Sequence, residues 1–98
     1  MEVGFEDQKL NRLEHDVSFT AGLPQGLVRV FRKRMQYIRA AVDERDFYKM
    51  KSLHFEKLAG ARQHQHSMRL NERYRLVVEI EGHSSSKRLM IVAIEDYH

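Results

Sequence analysis

The spacing of apolar side chains changes texture part-way along the chain. Val3 and Phe5 flank Gly4 with a period of two, which predicts a short strand. Leu10, Leu13 and Val17 then recur at steps of three and four, predicting an amphipathic helix over roughly 6–15. The stretch from Thr20 to Pro24 breaks that pattern, with Pro24 placed for the first turn of a new helix. Leu27, Val30, Phe31, Met35, Ile38 and Val42 form the longest helical stripe. Arg29, Arg32, Lys33, Arg39 and Asp43 fall largely off the stripe, so much of this basic cluster is expected to face outward. A further short helix over about 44–51 would use Phe47 and Met50 as its apolar contacts.

Beyond Ser52 the period shortens. Ser67–Leu70 alternates, and Asn71-Glu72-Arg73 reads as a tight connection. Tyr74, Leu76, Val78 and Ile80 then alternate with Arg75, Val77, Glu79 and Glu81, which predicts a strand. On that alternation Arg75 shares its face with Glu79 and Glu81. Gly82–Ser86 is a hairpin loop, and Lys87–Ile94 is expected to be a central strand. Helices first and an antiparallel meander after them predict an α+β fold. The 98 residues fit one domain, 1–98, without internal repeat or low-complexity tract.

Composition narrows the chemistry. With no cysteine, disulfide frameworks, thiolate zinc sites and thiol nucleophiles are excluded. At 42% hydrophobic and 32% charged, the chain reads as neither disordered nor membranous. No apolar run approaches the roughly 20 residues of a bilayer span, and the first residues lack a basic lead into an apolar stretch. An intracellular, cytoplasmic domain is expected. The net charge is only +3, but it is unevenly distributed. Residues 29–39 hold five bases and no acid, and residues 58–75 hold four bases against one acid. The middle of the chain carries +8 and the ends −5. Such a block suits a polyanion, an acidic protein partner, or simply a solvated face.

No Gly-rich phosphate loop, HExxH or Gly-x-Ser-x-Gly motif occurs. His64 and His66 would share one side of a strand, yet they lack the carboxylate or thiolate neighbours of a metal site and read as an exposed strand start. No metal and no cofactor is expected. The run Glu95-Asp96-Tyr97-His98 sets an imidazole beside a phenol, a proton donor near neutral pH with a ring able to stack on a base. Because the terminal His98 follows an apolar strand, it is expected to be anchored. Arg62, Arg69, Arg73 and Arg75, interleaved with Tyr74 and Tyr97, suit RNA, with a solvated sheet face as the alternative.

Four segments in order carry a resemblance: Leu53-His54-Phe55-Glu56-Lys57-Leu58-Ala59-Gly60-Ala61-Arg62; His64-Gln65-His66-Ser67-Met68-Arg69-Leu70-Asn71; Tyr74-Arg75-Leu76; and Glu95-Asp96-Tyr97-His98. Together they resemble the RelE/ParE superfamily of toxins, within it the HigB-like branch. Three departures stand out: His66 replaces the usual aromatic before Ser, Tyr74 replaces Trp, and HigB-like members carry His where Glu56 aligns. The resemblance implies a RelE-like fold, a short strand and two to three helices on a small, mostly antiparallel sheet. It implies a type II toxin that cleaves mRNA on the ribosome by metal-free attack of the 2′-OH. A ParE-like gyrase inhibitor and a catalytically degenerate, antitoxin-binding module are the alternatives. By the same resemblance the catalytic residues would be Glu56, Arg75 and His98, with His54 competing for the role of Glu56. Arg62, Arg69 and Arg73 would hold RNA phosphates, Tyr97 would stack on a base, and Asp96 would orient Arg75 or His98. The implied partners are a HigA-like helix-turn-helix antitoxin, the ribosome and mRNA, with operator DNA reached only through the antitoxin and no membrane.

Overall fold

The computed structural model describes residues 1–83 and 86–97. Strand β1 (Glu2–Phe5) leads into helices α1 (Gln8–His15), α2 (Gln25–Ala40) and α3 (Arg45–Lys49). A 3-10 turn at Lys51–Leu53 and strand β2 (Glu56–Lys57) follow, then a second 3-10 turn at Gly60–Arg62. The chain closes with β3 (His66–Arg69), β4 (Tyr74–Glu81) and β5 (Arg88–Asp96). The strands form one sheet in the order β1-β5-β4-β3-β2, antiparallel except for the parallel pair β1 and β5. This is the expected α+β arrangement. Of the expected hairpin loop, Ser84 and Ser85 lie outside the described residues.

One irregularity governs the sheet. Val77 is opposite Ala93, whereas the next residue, Val78, is opposite Ile91, so Val92 is an extra residue in β5. Alternation along β5 changes phase at this bulge. Leu89 and Ile91 are fully buried in the core on one side of it, and Ile94, three positions on, packs against the same core. Uninterrupted alternation would have sent residues 93, 95 and 97 into the core after 89 and 91. The bulge turns Glu95 and Tyr97 to the opposite, outer face of the sheet instead.

The inner face is covered by α1 and α2. Leu10 and Leu13 from α1, and Leu27, Phe31, Met35 and Ile38 from α2, bury against Met68, Leu76, Val78, Leu89 and Ile91. The helix spacing extends less far than expected. Val17 is 83% exposed and Val42 is 81% exposed, because each follows a helix end and leaves its stripe. Asp7 caps α1 by accepting the Lys9 N–H at 2.9 Å, so that helix starts two residues later than its apolar spacing alone suggests. Met50 is also exposed, α3 having already ended.

The basic cluster does face outward at Arg29, Lys33 and Arg39, but several of its arginines also hold the fold. Arg32 donates to the carbonyls of Leu13, Asp16 and Phe19 at 2.9, 3.0 and 3.1 Å, tying the α1–α2 connection to α2. Arg34 reaches the Arg69 carbonyl, and Arg39 forks onto Glu14 with both contacts at 2.7 Å. A guanidinium has enough donors to serve several carbonyls at once, so helix spacing alone does not separate a solvated arginine from one that staples a loop. Replacing Arg32 by Ala strips these carbonyls of a charged donor and is expected to destabilise the fold by about 2 kcal/mol, lowering Tm by roughly 10 °C. Arg29→Ala, on the same helix, should stay within about 0.5 kcal/mol of wild type. Thermal unfolding of the two variants checks the contrast.

Candidate functional site

The outer face of the sheet carries the site in two rows of register partners. Ser67, Val77 and Ala93 form one row, and Arg69, Arg75 and Glu95 the next. Glu56 on the short edge strand β2 is opposite Ser67 and extends the first row. His54 stands in a left-handed conformation (φ 47°, ψ 49°), one that His adopts more readily than most residues. The chain then alternates, so Phe55 is buried between Phe47 and His66, its ring stacked 4.9 Å from the imidazole of His66. His54 and Glu56, flanking it, both line a cavity of about 160 Å³ with Ser67, Arg69, Arg75 and Tyr97.

The loop from Leu58 to Gln65 folds over this face. It closes on itself through Leu58 N–H to the Gln65 carbonyl at 2.9 Å. From it, Arg62 grips Glu95 with both guanidinium termini, at 3.1 and 2.6 Å, while its Nε donates to Gln65 Oε1 at 3.0 Å. Gln65 in turn donates to Glu79 at 2.9 Å. Glu95 Oε1 also accepts from Arg75 Nη2 at 3.1 Å, so one carboxylate bridges two arginines. The hydrogen bond from Arg62, reinforced by that from Arg75, holds Glu95 below the ordinary carboxylate range. Arg75 is only 25% exposed in its side chain, and its Nε is buried with no hydrogen-bond partner. A buried donor left in this state costs about 1–3 kcal/mol.

Tyr97, directly after β5, is anchored, whereas the anchoring expected of His98 lies outside the described residues. Tyr97 N–H donates to the Arg73 carbonyl at 3.0 Å and its hydroxyl to the Asn71 carbonyl at 2.8 Å. Its ring centroid lies 5.9 Å from the Arg75 guanidinium carbon. Asn71 fixes the turn beneath it, Oδ1 accepting from the N–H groups of Arg73 and Tyr74.

Of the residues singled out from the sequence, His54, Glu56, Arg69, Arg75 and Tyr97 come together around the cavity. Arg69 donates its Nε to the Asn71 carbonyl. Arg62 and Arg73, expected on RNA phosphates, are paired with Glu95 and with Asp96, the latter at 2.7 Å. Asp96, expected to orient Arg75 or His98, is paired with Arg73 opposite Tyr74, and the preceding residue, Glu95, reaches Arg75; the alternative through His98 lies outside the described residues. Glu79, expected to share a face with Arg75, is taken up by Gln65. His98 lies outside the described residues. His66 opens β3 but is half-buried, its ring stacked on Phe55, and that burial lowers its pKa, whereas His64 is exposed. No group of three or more His, Cys, Asp or Glu is placed to hold a metal among the described residues. Three cavity or network residues had no role assigned from the sequence: Ser67, 4% exposed, Gln65 and Glu95. An Arg-rich run implies carboxylates to balance it, but which one pairs with Arg75 depends on the bulge.

The family model described as "RelE-like toxin of type II toxin-antitoxin system HigB" matches residues 3–93. The chain belongs to the HigB-like toxins. A YoeB/ParE toxin from Agrobacterium tumefaciens has a similar fold, with a TM-score of 0.63, 18% identity and complete coverage of both chains. The search of curated proteins gave no match. Membership of a type II toxin family implies a cognate antitoxin. In this toxin Glu95 is held below its ordinary pKa of 4.5, so its pairing stabilises the fold fully above that pH and is lost as pH falls through the lowered value. The stability gap between wild type and Glu95→Gln should therefore be flat from neutral pH to about pH 5 and shrink below pH 4.5. Urea unfolding at a series of pH values checks this.

Proposed function

We propose that this HigB-like toxin is a ribosome-dependent mRNA endonuclease that inhibits translation, cutting by attack of a ribose 2′-OH on the adjacent phosphodiester. The carrying observation is the cavity that brings two acid–base side chains, His54 and Glu56, within the same small space as Arg69 and Arg75. The base, Glu56 or alternatively His54, takes the 2′-OH proton. The 2′-oxygen bonds to phosphorus as the bond to the 5′-oxygen breaks, and an acid returns a proton to that leaving oxygen. The products are a 2′,3′-cyclic phosphate and a 5′-hydroxyl. Arg75 and Arg69 balance the charge gathering on the phosphoryl oxygens. His98, by its resemblance to the family's ending, is the general acid, and Tyr97 offers a ring for a base to stack on. Every step is assigned to a side chain, and none calls on a metal.

Arg62, Arg73 and Asp96 serve this reading as the frame of the site, with any phosphate contact made from the rim. A HigA-like helix-turn-helix antitoxin would be the inhibitory partner, linking the toxin to operator DNA only indirectly. The toxin would act in the cytoplasm. No helix among the described residues is long and apolar enough to cross a membrane.

Incubation with translating ribosomes, followed by mapping of mRNA ends, tests the reading. Wild type should generate new ends carrying cyclic phosphate. Arg75→Ala should cut about 10²–10³-fold more slowly. His98→Ala should lose about 10²–10⁴-fold, and whichever of Glu56→Gln and His54→Ala falls as far identifies the base. An uncut message, with gyrase cleavage complexes accumulating instead, would overturn it.

A further inference from the structure

Glu95 is not among the groups assigned to the chemistry, yet it touches the central cation. We propose that Glu95 is a positioning residue that holds the Arg75 guanidinium by Nη2 at the wall of the cavity, where the cation meets a phosphodiester oxygen. The proposal rests on Arg75 being the phosphate ligand of the function proposed above.

Register supplies the first argument. Arg75 and Glu95 are direct cross-strand partners on the outer face, and Glu95 reaches that face only because of the bulge at Val92. Glu95 is also held from its other side. Arg62 engages both of its oxygens, Gln65 braces Arg62, and Glu79 braces Gln65. The chain of contacts Glu79–Gln65–Arg62–Glu95–Arg75 thus begins and ends on β4 and spans the outer face. A carboxylate held on both sides is a fixed stop for a flexible arginine. A lone guanidinium would instead have to lose its rotamer freedom when substrate arrives.

The unpaired donor supplies the second argument. Arg75 Nε is buried without an acceptor, although Glu95 is within reach of the same guanidinium. Native structures seldom leave a buried N–H in this state, and such exceptions call for an explanation. Here the same side chain lines the cavity, beside Tyr97 and Arg69. With Nε unpartnered, the Nη2–Glu95 contact is what fixes the direction of the guanidinium, so an anionic oxygen entering the cavity meets a cation already placed.

The test uses the full-length toxin labelled with ¹⁵N, reading arginine Nε–H signals, with the Arg75 signal assigned from its disappearance in Arg75→Lys. In wild type the signal should be sharp and should shift on addition of inorganic phosphate. Glu95→Ala should broaden it by solvent exchange and weaken phosphate binding at least tenfold. Glu95→Gln keeps an oxygen acceptor for Nη2 and should retain most of the signal. On ribosomes, Glu95→Ala should lower kcat by up to about 10²-fold while KM changes by less than about threefold, and Glu95→Gln should recover much of the loss. Unchanged or stronger phosphate binding in Glu95→Ala would overturn the proposal. So would equal losses in both variants that simply follow their Tm. If phosphate binding depends on Glu95 while wild type leaves mRNA uncut, the positioning role stands and the nuclease reading falls.

Discussion

A single extra residue in β5 decides what the outer face of the sheet contains. The helices demand Leu89, Ile91 and Ile94 on the inner face, and strict alternation cannot supply all three. The bulge at Val92 reconciles the sheet with the core, and in doing so turns Glu95 and Tyr97 outward beside Arg75. The hydrophobic core and the polar site are thus set by the same local irregularity. Bulges recur beside functional sites because they re-aim side chains without breaking the sheet.

The excess of positive charge takes on a different meaning once its partners are known. Arg32 and Arg34 hold backbone carbonyls, and Arg39, Arg62 and Arg73 are matched to Glu14, Glu95 and Asp96. Much of the basic middle therefore holds the fold and the frame of the site. Arg69 and Arg75 are the arginines that line the cavity. The ion pairs around them are partly exposed and contribute modestly to stability, and their larger effect is geometric. They hold the loop from Leu58 to Gln65 against the sheet and tie Arg75 to Glu95.

Helix and strand types were legible from spacing, since Leu27, Phe31, Met35 and Ile38 mark one helix face and Leu76 and Val78 one strand face. The order of elements and the antiparallel meander followed from them. Less legible was anything set by a single inserted residue or by a long side chain. The phase of Glu95 against Asp96 hinges on Val92, and the inward turn of Arg32 hinges on carbonyls thirteen to nineteen positions away. The first helix ends where expected, at His15, but the apolar stripes were carried past the helix ends to Val17 and Val42, because apolar spacing carries no information on where the backbone turns. The family resemblance located Glu56, His54 and Arg75 in one region, and their shared cavity follows from the exchange of faces around buried Phe55.

The central claim is that this outer-face cavity promotes attack by a ribose hydroxyl on its own phosphodiester. The most direct test replaces the ribose 5′ to the cleaved bond with a single 2′-deoxyribose in an otherwise unchanged mRNA on the ribosome. The account predicts that cutting at that bond stops while other susceptible bonds are cut normally. Continued cutting at the deoxy position would contradict it, because the nucleophile would then have to come from elsewhere.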